Sequence, residues 1–140
     1  MGKVIVQLKL INSVDLSNVR HGIIPESKVR SIEVSGIVDT GAVMLSLPLD
    51  LVEKLGLDQI GQRRVRYANG QPDTKPVAGG VFLEIQGRQA LVDCLVQEPG
   101  SPVLVGQVPL ELMDWAVHPQ EQRLIPGHEG ENDMALIEMY

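Results

Sequence analysis

An apolar run from Ile32 to Val38, broken by Glu33 and Ser35, carries the backbone straight into a carboxylate, Asp39. Thr40-Gly41-Ala42 follows, and then Val43-Met44-Leu45-Ser46-Leu47-Pro48. An acid at the end of a buried strand must find partners or take up a proton. Thr40 offers a hydroxyl, and Gly41 permits a tight turn with the backbone close to another chain or ligand. The same hexapeptide also suits a strand that simply ends in an Asp-Gly type turn. Taken alone, it does not choose between the two.

The rest of the chain narrows the setting. Its 140 residues make about one domain, large enough to bury a core. Only 3% of the residues are aromatic against 44% apolar, so that core must be built from Val, Leu and Ile. Such residues in short runs, punctuated by 14 Gly and 9 Pro, favour sheet. The net charge of −6 and the lack of a basic cluster larger than Arg63-Arg64-Val65-Arg66 argue against a nucleic-acid partner. No apolar stretch approaches the roughly 20 residues of a membrane span, and the N-terminus lacks a signal-peptide pattern. Cys94 is the single cysteine, so an internal disulfide is excluded and a reducing cytoplasm fits.

Read in order, Lys3 to Ile11 alternates Val4, Val6, Leu8 and Leu10 against Lys3, Ile5, Gln7 and Lys9, a half-buried strand. Asn12 to Ser27 is polar and turn-rich and reads as an irregular excursion. Val29 to Asp39 is the strand that delivers the acid. Leu49 to Leu57 has helical spacing, with Asp50 placed to cap it and Gly56 to stop it. Arg63 to Ala68 runs into Asn69-Gly70, a two-residue hairpin signal. The return arm, Thr74 to Ile85, carries Gly79-Gly80. Gln89 to Val96 is the next strand, Val103-Leu104-Val105-Gly106 an apolar segment closed by glycine, and Pro109 to Trp115 a short helix. Val117 to Leu124 reads as a final strand with a turn near His118-Pro119. The division expected is a domain over 1–126 and an acidic tail over 127–140, either disordered or docked through Met134-Ala135-Leu136-Ile137.

Three features thus stand in order: an apolar-apolar-Asp39-Thr40-Gly41-Ala42 turn, a glycine-bearing hairpin, and Leu104-Val105-Gly106 leading into a short helix. Over residues 3 to about 126 the ordered set resembles the retropepsin-like aspartic proteases. The bacterial single-domain members look closest, because Leu47-Pro48 and Leu51-Val52-Glu53-Lys54-Leu55-Gly56-Leu57 follow the acid. The resemblance implies an all-β, closed barrel-like fold with a flap hairpin and one or two short helices. It also implies a homodimer acting on a peptide or protein substrate, with no metal or cofactor. This route to peptide hydrolysis needs two carboxylates, and Asp15, Asp50, Asp58, Asp73, Asp93 and Asp114 all lack the Thr/Ser-Gly that follows Asp39. Asp39 would therefore meet Asp39 of a second copy across a two-fold axis.

By resemblance, Asp39 is the catalytic acid/base and Thr40 locks the two loops across the dimer axis. Gly41 presents its carbonyl to an extended substrate, with Ala42 completing the loop and Gly106 supporting it from beneath. Asn69 and Gly70 form the flap tip, and Ile37, Pro102 and Leu104 wall the substrate pockets. Two positions depart from the viral pattern. Val43 and Gln107 stand where viral members carry an Asp and an Arg that brace the dimer, so subsite preferences and dimer strength do not carry over.

Other chemistry-bearing residues read more plainly. His21, His118 and His128 lack metal-ligand spacing with one another or with Cys94. Cys94 and Trp115 read as core, and Arg63, Arg64 and Arg66 as the solvated face of a strand. The alternative to an endopeptidase is a non-catalytic dimeric module that binds extended peptides in the same cleft. A latent precursor whose acidic tail closes the cleft is a further possibility.

Overall fold

A computed structural model describes residues 3–128 and 134–139. Strand β1 (Val4–Asn12) alternates as its spacing predicts: Val4, Val6, Leu8 and Leu10 are buried and Ile5 is exposed. On one side it pairs antiparallel with β2 (Ser31–Val38). On the other, its last residues pair with β5 (Pro72–Ile85), in register Lys9↔Glu84 to Asn12↔Val81. That second pairing closes a ring, which runs β1, β2, β7 (Leu104–Val105), β3 (Leu45–Pro48), β6 (Arg88–Gln97), β5 and back to β1. Strand β4 (Asp58–Arg66) hangs outside the ring, paired among the described residues with β5 alone. This is the all-β barrel with a projecting hairpin that the resemblance implies. Aliphatic side chains fill it, with Leu10, Leu45, Leu47, Leu83, Ile85 and Val105 fully buried.

Residues 12–27 are more regular than expected. Helix α1 (Ser13–Arg20) follows β1 directly, and Glu26–Lys28 forms one 3-10 turn. Hydrophobic periodicity carries no trace of α1 because the residue it buries is an acid, Asp15. Arg30 grips that carboxylate with Nε and Nη2, each at 2.9 Å, and donates its backbone N–H at 3.0 Å. The guanidinium bonds hold the Asp15 carboxyl below the usual carboxylate range, against the upward push of burial.

Asn12 joins three elements. Its Oδ1 accepts from the N–H of Asp15 at 3.0 Å, capping α1, and its Nδ2 donates at 2.9 Å to the carbonyl of Leu55, the last residue of α2 (Leu49–Leu55). Pro48, not Asp50, is the N-cap of α2. Asp50 instead accepts from the N–H of Gly100 at 3.2 Å, in the loop before β7. Gly56 stops the helix as expected, at φ +66°.

After α3 (Gln107–Leu112) the strand expected over Val117 to Leu124, with its turn near His118-Pro119, is a two-stranded hairpin, β8 (Trp115–His118) and β9 (Arg123–Pro126). Arg88 is buried against it, stacked 4.2 Å from the Trp115 ring centre and donating to the carbonyls of Met113 and Asp114. The described part of the tail, residues 127–128 and 134–139, is held through polar groups, while 129–133 and 140 lie outside the described residues. Asp114, itself buried, accepts from the N–H of Leu136 at 3.0 Å and meets His128 Nδ1 at 2.8 Å. His128 Nε2 lies 3.1 Å from Glu138. Met134, Leu136, Ile137 and Met139 keep their side chains exposed.

Two measurements check these junctions. Asn12→Ala removes the cap of α1 and the donor to Leu55, and is expected to lower stability by about 2–3 kcal/mol in urea denaturation at unchanged m-value. The tail clasp is pH-dependent with a definite sign. Bonding to Asp114 raises the pKa of His128, so its contribution is complete below about 6.5 and fades as pH climbs through the raised value. Burial pushes the Asp114 carboxyl up, but the Leu136 N–H and His128 leave it lowered overall, so its contribution is lost as pH falls through that depressed value. Protection factors of the Leu136 amide are expected to peak in the mildly acidic window between, and His128→Gln to abolish the fall above neutrality.

Candidate active site

Strands β2 and β3 follow each other in the chain but are not neighbours, because β7 lies between them. It pairs parallel with β2 (Ile37↔Leu104, Val38↔Val105) and antiparallel with β3 (Ser46↔Leu104). Residues 39–44 must therefore cross over the end of β7, and that crossing is the candidate site.

Hydrogen bonds fix it on both sides. The N–H of Asp39 donates to the carbonyl of Val105 at 2.9 Å, extending the β2–β7 ladder by one residue. The carbonyl of Asp39 accepts from the Ala42 N–H at 3.0 Å, and its Oδ1 from the Gly41 N–H at 3.0 Å, so the carboxylate is oriented by its own turn. On the far side, the N–H groups of Gln107 and Val108 donate to the carbonyls of Ala42 and Val43 at 2.8 and 3.0 Å. Gly106 sits where the two segments cross. A Cβ there would lie 2.5 Å from the Met44 carbonyl oxygen and 2.7 Å from that of Ala42, so only glycine fits. Asp39 and Ala42 are half-buried, and Thr40 and Gly41 are exposed.

The crossing brings Ile37, Asp39, Gly41, Ala42, Leu104 and Gly106 into one hydrogen-bonded unit, with Thr40 exposed inside the turn that the Asp39 carbonyl and the Ala42 N–H close. Ile37 and Leu104 are register partners, both half-buried. Pro102 is exposed in the loop just before β7. Asn69 and Gly70 stand apart at the exposed tip of the β4–β5 hairpin. The tip is a three-residue loop, not the two-residue turn expected: the Tyr67 N–H donates to the Gln71 carbonyl and the Gly70 N–H to that of Tyr67, with Gly70 at φ +82°. Asn69 Oδ1 accepts from the Gln71 N–H at 2.9 Å.

A cavity of about 540 Å³ opens beside the crossing, between Val43 and Met44 after the loop, Arg63 of β4, Leu91 of β6, and Val108 and Leu112 of α3. Asp39, Ile37, Pro102 and Leu104 do not line it. It is a mainly apolar recess, with Arg63 and Asp93 in its walls, and not the place that holds the acid. Sequence reading did not find it, because its walls come from four separate stretches and carry no shared motif. Cys94 is fully buried in β6, and desolvation pushes its thiol up to about 12, which leaves it inert as a nucleophile.

A sequence model of the aspartyl protease family matches residues 26–108, more than half of the chain. The chain belongs to the aspartyl protease family, in its retropepsin-like clan. No curated protein matches it. The matched span takes in β2, the crossing loop, the β4–β5 hairpin and β7 through Gly106, and it ends inside α3. Family membership is thus written in the segments that build the crossing, while β1, α1 and the β8–β9 hairpin lie outside the match.

Gly106→Ala is expected to cost about 1–3 kcal/mol, because the backbone carbonyls it would strike cannot move without breaking the Gln107 and Val108 bonds. Gly41→Ala is the contrasting case. Its Cβ would lie 3.2 Å from Asp39 Oδ1, a contact that a small turn of the carboxylate relieves. The denaturation midpoint should fall clearly for the first variant and little for the second.

Proposed function

We propose that the protein is an aspartic endopeptidase, active as a homodimer, that hydrolyses extended peptides beside apolar residues. The observation that supports this best is the crossing itself: one Asp-Thr-Gly turn per chain, rigidly held, with Thr40 on the surface beside the carboxylate. Each chain supplies one carboxylate and the reaction needs two. A second copy meeting the first through the Thr40 side of the loop would place two Asp39 side chains together about an axis of symmetry.

The chemistry then follows. Like charges about 3 Å apart cannot both ionise, so one carboxylate keeps a proton and the other does not, and the pair titrates as a unit. The ionised member takes a proton from a water held between them as that water attacks the peptide carbonyl carbon. The protonated member donates to the carbonyl oxygen and stabilises the tetrahedral intermediate. Gly41 offers its carbonyl to the extended substrate, and Ile37, Pro102 and Leu104 contact the side chains next to the scissile bond. The tip at Asn69 and Gly70 closes over the peptide and adds backbone bonds in the manner of an extra strand. In this reading residues 1–126 are the protease domain and 127–140 an appended acidic tail. The buried, unpaired Cys94 supports a cytoplasmic setting.

Asp39→Asn is expected to lower turnover of a peptide library by about two to four orders of magnitude with the far-ultraviolet spectrum and melting temperature preserved, since an amide cannot act as the base. Cleavage at the parent rate would overturn the assignment, as would a strictly monomeric species at high micromolar concentration in sedimentation. Binding of a statine-containing peptide without turnover at any pH from 4 to 7 would make the protein a peptide-binding module instead.

A further inference from the structure

Strand β5 changes partners along its length. From Val77 onward it is bonded to β6, starting at Val77↔Leu95, whereas among the described residues Pro72 to Pro76 pair with β4 alone. The hairpin therefore leaves the barrel at Val77 as an arm. Every residue from Arg66 to Thr74 is exposed, so the arm buries little that would hold it in place.

Lys75 breaks that pattern. It stands at the root of the arm, one turn of the pleat outside the barrel, yet it is only 9% exposed. A lysine is seldom buried without a charged partner. Its Nζ lies 3.3 Å from Glu98 Oε1 and 3.6 Å from Asp73 Oδ2. Asp73 also accepts from the Tyr67 hydroxyl at 3.5 Å, which links the root to the base of the tip. Glu98 begins the loop between β6 and β7. That loop is pinned by Asp50 at Gly100 and leads through Pro102 to Leu104, the register partner of Ile37.

We propose that Lys75 is the positioning residue of the hairpin: its ion pair with Glu98 ties the root of the arm to the loop that runs into the substrate wall, and so sets where the Asn69-Gly70 tip rests. The proposal rests on the peptidase reading above. The pair suits a part that must open and close. The Glu98 side chain is 80% exposed, so water competes for it and the bond biases the arm without locking it. An apolar residue at position 75 would bury surface without directing the arm toward Glu98, and an unpaired lysine would have no reason to fold inward.

The experiment compares the parent with Glu98→Gln, Lys75→Met and Lys75→Arg. Hydrogen exchange followed by mass spectrometry reads the arm over residues 62–76, and titration with a statine-containing peptide reads the cleft. Glu98→Gln and Lys75→Met are expected to speed exchange in the arm while leaving β1 and β2 at parent rates. Both should weaken statine affinity by about two- to fivefold, as expected for a half-exposed ion pair. Lys75→Arg keeps the charge and should stay near the parent on both readouts. Salt at about 0.5 M should loosen the arm of the parent but not that of Glu98→Gln.

Parent-like exchange in Glu98→Gln overturns the proposal, and because Glu98 is a surface residue this variant decides even if Lys75→Met fails to fold. A loosened arm with unchanged statine affinity overturns it equally, since the posture of the arm would then not matter to the cleft. If the parent binds no statine peptide, the peptidase reading fails, and the exchange rates alone decide whether Lys75 holds the arm.

Discussion

The close passage of Gly106 beneath the carbonyls of Ala42 and Met44 is the contact on which the remaining architecture depends. Without it β7 could not lie between β2 and β3, and the ring would lose the strand that joins its two halves. The same passage fixes Asp39, whose backbone N–H is bonded to Val105 on the strand that passes below. Barrel closure and carboxylate placement are one constraint, satisfied by the absence of a single side chain.

Much of this was legible in the residues, for identifiable reasons. The alternation in β1, the acid at the end of β2 and the stop at Gly56 are local effects, and local sequence reports them. Resemblance supplied the crossing, which no periodicity could show, because Gly106 acts on residues more than sixty positions away. What escaped is mainly ionic. Asp15, Lys75, Arg88 and Asp114 are all buried, and hydrophobic patterning treats each as surface. Asp15 is the clearest case: the helix that carries it has no apolar stripe, so a regular element read as an excursion. The β8–β9 hairpin was missed in part, since its turn near His118-Pro119 was visible but the strand direction on either side was not.

Val43 and Gln107, the two departures from the viral pattern, both take part in main-chain bonds between the loop and α3. Val43 is 65% exposed, and its backbone carbonyl rather than a side chain receives the bond from α3. Gln107 donates its backbone N–H to Ala42 and turns its side chain to Glu111 of its own helix, at 3.1 Å. The loop and α3 are therefore joined through main-chain bonds here. Freed from an ionic role, Val43 forms an apolar wall of the recess shared with Val108 and Leu112.

Strand β4 has a different kind of consequence. It pairs with β5 on one side and presents its other edge to solvent. An open strand edge invites any extended chain to add to it, including unfolded neighbours and identical hairpins. Arg63, Arg64 and Arg66 crowd that strand with positive charge on a molecule that is otherwise acidic. Two such strands brought together would repel where their arginines met, so the arginines guard this open edge against fibrous self-association.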